Sequence, residues 1–112
     1  MIHNMKLQND PFIKIKNGSK TIEMRLNDEK RKKINIGDSI EFTNIETNEK
    51  LICKVLNLYK YKNFEELYKN HDKMSIGYDK DEVSNSNDMK KYYAEDKINK
   101  YGVLGIKIKL KK

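Results

Sequence analysis

A chain of 112 residues has room for one hydrophobic core and no second. Its 24 basic side chains exceed 17 acidic ones, for a net charge of +7, so a polyanion such as nucleic acid is the first partner to consider. Membrane spans need roughly 18 apolar residues in a row, and none is found; with one cysteine, Cys53, an internal disulfide is excluded.

The charge is weak evidence by itself. Twenty-two of the basic residues are lysine, thirteen residues are asparagine, and both halves are basic, the pattern of a coding bias toward A/T-rich codons. The opening MIHNMKLQNDPF lacks the apolar centre of a signal peptide, which leads us to expect a cytoplasmic location and a reduced Cys53 in the apolar run Leu51-Ile52-Cys53. His3 and His71 have no Cys or His at ligand spacing, so no metal or other cofactor is expected.

In chain order, Asp10-Pro11 reads as the N-cap and first position of a short helix. Phe12 and Ile15 form its apolar stripe, and Asn17-Gly18 stops it. The period then changes to two: Ile22, Met24 and Leu26 face one way, and Thr21, Glu23 and Arg25 the other. Asn27-Asp28 ends that strand and caps a polar helix over 29–33. Ile36-Gly37-Asp38 turns into a strand with Ile40 and Phe42 inward. Leu51 to Tyr61 is a long strand whose alternation slips near Leu56-Asn57, the signature of a bulge.

Asn63 with Glu66 has capping-box spacing, and Phe64, Leu67 and Tyr68 follow as a buried stripe. Residues 71–88 are polar around Ile76-Gly77-Tyr78 and read as loop and short helices, a candidate flap. Met89, Tyr92 and Tyr93 have the spacing of a further helix, with Tyr92 in the core. Tyr101-Gly102 leads into a last strand with Leu104, Ile106, Ile108 and Leu110 inward; Lys111 and Lys112 read as a solubilising tail. Strands organise the core and helices fill the connections, so an α+β fold, a small barrel with helices between its strands, spans residues 1–112 as one domain.

The stretch richest in chemistry is Gly18 to Arg25. Glu23 and Arg25 share a strand face about 7 Å apart, with Lys20 just after the glycine turn. A carboxylate can accept from a base amino group or take a proton, and the cations can hold phosphate or polarise a carbonyl. From spacing alone, an exposed Glu–Arg pair worth under about 1 kcal/mol is the simpler account. Glu29-Lys30-Arg31-Lys32-Lys33 is likewise read as a solvated helix face, with a grip on phosphates as the alternative. Among the tyrosines, Tyr78 beside Gly77 is the favoured platform for stacking on an unpaired base.

The G-x-K-x-x-E-x-R pattern at Gly18 to Arg25 resembles the signature of ASCH (activating signal cointegrator homology) domains. The preceding Pro-Phe helix, the Ile36-Gly37-Asp38 turn and the Tyr101-Gly102 approach to the final strand extend that resemblance over most of the chain. It implies a PUA-like β-barrel that binds RNA or a modified nucleotide in a cleft lined by Lys20, Thr21, Glu23 and Arg25. Some members resemble enzymes, so amidohydrolysis of acetylated cytidine or RNA cleavage is the alternative, with Lys20 and Glu23 the candidate catalytic residues. In the amidohydrolase branch a threonine stands where this chain has Glu23, and the branch's distant glutamate has no clear counterpart between His71 and Tyr78. A third reading, a protein-interaction adaptor, follows from members found inside coactivators.

Overall fold

The computed structural model describes residues 1–111. Five strands form one curled sheet, a half-barrel: β1 (Ile2–Leu7), β2 (Ile22–Leu26), β3 (Ser39–Asn44), β4 (Lys50–Tyr61) and β5 (Val103–Leu110). Their spatial order is β1-β3-β4-β5-β2, with β1 parallel to β3 and all other neighbours antiparallel. Three helices occupy connections: α1 (Asn9–Lys16), α2 (Phe64–Asn70) and α3 (Glu95–Tyr101). Two short 3₁₀ turns, Arg31–Lys33 and Ser86–Lys91, complete the elements among the described residues. The α+β class and the barrel with helices in its connections are therefore as expected.

Strand alternation divides the apolar residues into two cores. Phe12, Ile40, Phe42, Cys53, Val55, Leu104 and Ile106 fill the hollow of the half-barrel under α1. Ile22, Met24, Leu26, Phe64, Leu67, Ile76 and Val103 form a second core on the other face, covered by α2 and the segment after it. β2 and β5 are buried on both faces, which is why Val103 to Ile106 lie inside without a polar face. β4 bends across the two cores at the expected place, with its register slipping between Val55 and Asn57.

Several local expectations are corrected. β1 precedes every element read from the sequence. Only Met5 and Leu7 of its six residues are buried, and its parallel pairing with β3 is non-local. Helix α1 begins at Asn9 with Gln8 as N-cap, so Asp10 is not the cap. The Glu46 carboxylate, from the β3–β4 turn, accepts from Asn9 N–H at 2.8 Å and does that work from outside. Asp10 lies in the first turn instead, pairing with Lys14 at 3.1 Å. The polar helix after Asp28 shrinks to the 3₁₀ turn Arg31–Lys33, with Asp28 capping Arg31 N–H. The turn Ser86–Lys91 ends before Tyr92, so Met89 is buried while Tyr92 is 59% exposed rather than in the core. Lys111 is not a free tail: its N–H donates to Ile52 and its ammonium to Ser39 Oγ. Lys112 lies outside the described residues.

Local signals hold where a side chain closes its own turn. Asn63 accepts from Glu66 N–H at 3.0 Å, the expected cap of α2. Gly102 ends α3 at φ +72°, where its N–H reaches Ile98 O at 2.8 Å, and turns the chain into β5.

Candidate functional site

The half-barrel is open between its edge strands β1 and β2, and the motif lies at that opening. Antiparallel pairing sets Glu23 opposite Ile106 and Arg25 opposite Leu104, so both charged side chains share the face of the first core. Helix α1 and the glycine turn at Gly18 deliver Lys20 to the start of the same strand. Glu23 is therefore 3% exposed, and the surface ion pair suggested by spacing alone is replaced by a buried triad.

Lys20 Nζ lies 2.9 Å from Glu23 Oε1, and Arg25 Nε donates to Glu23 Oε2 at 2.9 Å, with Nη2 2.7 Å from the same oxygen. Arg25 Nη2 also donates to the Lys6 carbonyl at 2.9 Å, tying β2 to β1 across the open side. Burial by itself would push the Glu23 carboxyl up, but Lys20 and Arg25 outweigh it and hold the group down at about 2. Burial opposes charge on Arg25 too, and Glu23 raises its pKa above the usual value. The carboxylate is thus a fixed anion between two fixed cations.

The triad forms part of the floor of a cleft of about 470 Å³. One wall is the segment after α2. Ser75 O accepts from the N–H groups of both Thr21 and Ile22 at 2.9 Å, and Ile76 is buried in the second core. Gly77, at φ +115°, lies against the Lys20 side chain, where a Cβ would sit 3.3 Å from Lys20 Cδ. From the opposite wall Lys14 donates to Gly77 O at 2.8 Å and pairs with Asp79 at 3.3 Å. Burial works against the Lys14 ammonium, but hydrogen bonds to Asp10 and Asp79 raise its pKa.

Lys20, Glu23, Arg25 and Tyr78 line the cleft together, and Thr21 does not. Its backbone is spent on the sheet and the wall, with its carbonyl accepting from Ile108. The Tyr78 hydroxyl lies 2.6 Å from Asp88, 2.9 Å from the Tyr68 hydroxyl and 3.1 Å from Asn85 O, so this ring braces the wall. Tyr92 is the aromatic that lines the cleft while largely open to solvent, and Lys91 beside it is exposed as well. Tyr93 turns inward to stack on Phe64 at 5.8 Å between ring centroids.

Arg25 Nη1 has no protein partner among the described residues, and Lys20 Nζ keeps donors beyond the one aimed at Glu23. The floor therefore offers hydrogen-bond donors. Among the described residues no three His, Cys, Asp or Glu side chains converge to hold a metal, and no helix is long and apolar enough to cross a membrane.

A curled PUA-like half-barrel with a cation–anion–cation triad at its open edge defines the class. The ASCH domain family matches residues 5–112, and the chain belongs to that family. It is also similar over nearly its whole length to two solved structures. The hypothetical protein PH0355 is 32% identical, with a TM-score of 0.84, covering 99% of this chain and 100% of that one. Protein PF0455 from Pyrococcus furiosus is also 32% identical, with a TM-score of 0.75, covering 98% of this chain and 97% of that one. Among curated proteins, none matches.

Proposed function

We propose that the protein binds single-stranded RNA or a modified nucleotide by taking one base into the cleft. The observation that carries this reading is an exposed aromatic, Tyr92, beside a floor of unused donors on Lys20 and Arg25. A base stacks on Tyr92, and its carbonyl and ring-nitrogen acceptors meet those donors. Glu23 works through its neighbours: nearly inaccessible, with both oxygens engaged, it fixes the directions of Lys20 and Arg25. Bases rich in carbonyl acceptors, uracil and guanine, are favoured over adenine. Membership of the ASCH family supports an RNA ligand.

A hydrolytic role is less well supported by the same geometry. A general base works best with a pKa near the operating pH, and Glu23 sits near 2. It also stands where the amidohydrolase branch of the family that the motif resembles has a threonine.

The test is fluorescence anisotropy with labelled 12-mers of oligo(U) and oligo(A), comparing wild type with Tyr92→Ala and Lys109→Gln. Tyr92→Ala is expected to weaken oligo(U) binding by roughly tenfold, within the range for loss of one stacked base. Lys109→Gln, an exposed site on β5, controls for general charge. Equal affinities for the two RNAs and for Tyr92→Ala and Lys109→Gln would sink the proposal.

A further inference from the structure

The cleft is nearly balanced in charge, because five cationic side chains among its lining residues meet four carboxylates. Lys20 and Arg25 are neutralised by Glu23, and Lys14 by Asp10, Asp79 and Glu82. Such a site suits a neutral base and leaves little attraction for the phosphate attached to it. The missing charge lies next door. A second hollow of about 390 Å³, across the opening between β1 and β2, is lined by Lys6, Arg25, Lys30, Arg31 and Lys50, with Glu41 as its one carboxylate; Lys50 pairs with Glu41 at 3.2 Å and Arg31 with Asp28, while Lys6 and Lys30 have no carboxylate partner among the described residues. Lys6 and Arg25 line both spaces, so the two adjoin.

The backbone explains why cations collect there. Ser39 N–H donates to Met1 O and Ile45 N–H to Leu7 O, so odd-numbered residues of β1 bond to β3. The even-numbered residues direct their N–H and C=O groups at the open edge. The carbonyls attract basic side chains: Lys6 O accepts from Arg25 at 2.9 Å, and Asn4 O from Lys30 at 3.4 Å. The N–H groups of Asn4 and Lys6 point into the same gap as donors for an anion. Arg31 is held in place by Asp28 at 2.9 Å, while its buried Nε has no partner among the described residues.

We infer that this second hollow is a phosphate-binding track, which carries the backbone of a single-stranded RNA away from the base held in the cleft. Arg25 is the junction: Nε and Nη2 are held by Glu23 and the Lys6 carbonyl, and the two N–H bonds of Nη1 serve the base on one side and a phosphate on the other. The inference rests on the proposed reading of the cleft and adds a direction to it: the strand leaves over β1. The basic run 29–33, read from the sequence as a solvated face, contributes Lys30 and Arg31 to this track.

The two parts separate experimentally. Binding of the oligo(U) 12-mer is measured from 50 to 400 mM salt for wild type, Lys30→Gln/Lys50→Gln, Lys107→Gln/Lys109→Gln and Tyr92→Ala. For single strands the logarithm of affinity falls with a slope of about 0.7 per phosphate neutralised, about fivefold per contact at 0.1 M salt. Losing two contacts is therefore expected to weaken binding by up to about 25-fold at 0.1 M and to flatten the slope by about 1.4. The β5 pair Lys107→Gln/Lys109→Gln should change neither quantity appreciably. Should both double variants lose affinity and slope alike, or neither lose any, the track is overturned while the cleft reading is judged on Tyr92→Ala. Loss in Lys30→Gln/Lys50→Gln with Tyr92→Ala unchanged keeps the phosphate track and refutes base recognition in the cleft. A wild type that does not bind the 12-mer at 50 mM salt overturns both.

Discussion

Replacing Glu23 by glutamine tests the triad directly, because the change keeps shape and removes one charge. In the folded chain the carboxyl titrates near 2 against an ordinary 4.5. At about 1.4 kcal/mol per pH unit, that depression contributes about 3 kcal/mol of stability at neutral pH. A separate estimate, the cost of stripping one partner from a buried ion pair, is about 3–5 kcal/mol, in agreement. The sign follows from proton uptake. As pH falls the unfolded chain protonates this group first, near 4.5, so its contribution is complete above that value and gone below about 2. Every other carboxylate is present in both proteins, so the stability difference between wild type and Glu23→Gln isolates Glu23. Urea unfolding followed by tyrosine fluorescence serves, as the chain has seven Tyr and no Trp. The gap should be about 3 kcal/mol at pH 7, hold to about pH 5, and close steadily toward pH 2. A gap under 1 kcal/mol at pH 7, or one that stays constant from pH 7 to pH 3, would refute the buried triad. If Glu23→Gln does not fold, carboxyl-carbon NMR of wild type gives the same answer, and a Glu23 midpoint at 4 or above refutes it.

Two further outcomes follow from the cores. Cys53 is fully buried in the first core, and burial pushes its thiol up to about 11; at pH 8 only about one thiol in a thousand is ionised. Native protein should therefore resist a disulfide reagent that titrates one thiol per chain in guanidinium, and rapid native labelling would contradict the packing. Gly102→Ala places a Cβ 2.9 Å from Tyr61 O at φ +72°, where backbone rather than a flexible side chain must move. A loss of about 2 kcal/mol or more is expected, and a thermal midpoint within 2 °C of wild type would show that the α3–β5 turn is otherwise built.

What could be read from the sequence divides along a physical line. β5, the bulge of β4 and the Asn63 cap announce themselves because each is specified by residues within a few positions of one another. β1 and α3 do not. In β1 the inward residues are only Met5 and Leu7, and what makes it a strand is β3, which follows more than thirty residues later. α3 buries Ile98 alone, and its N-cap, Ala94, has no side chain to cap it, so neither its stripe nor its beginning leaves a pattern. The start of α1 is displaced for a similar reason, because its first N–H is satisfied by Glu46 from another turn.

The site shows the same division in sharper form. Alternation correctly sets Glu23 and Arg25 on one face and Ile22, Met24 and Leu26 on the other, and it invites the inference that the charged face is the wet one. That inference fails because β2 is the last strand of a sheet that curls. Its apolar face meets the core under α2, and its charged face turns into the mouth of the half-barrel. Period two tells which residues share a face. It carries no information about how far the sheet curls, and curvature is what converts a Glu–Arg pair worth little on a surface into a buried triad worth about 3 kcal/mol. Hydrophobic side chains of similar volume would stabilise such a position as well or better. The triad's stability is therefore no explanation for its composition, whereas donors held in fixed directions at an open cleft are something only the charged set provides.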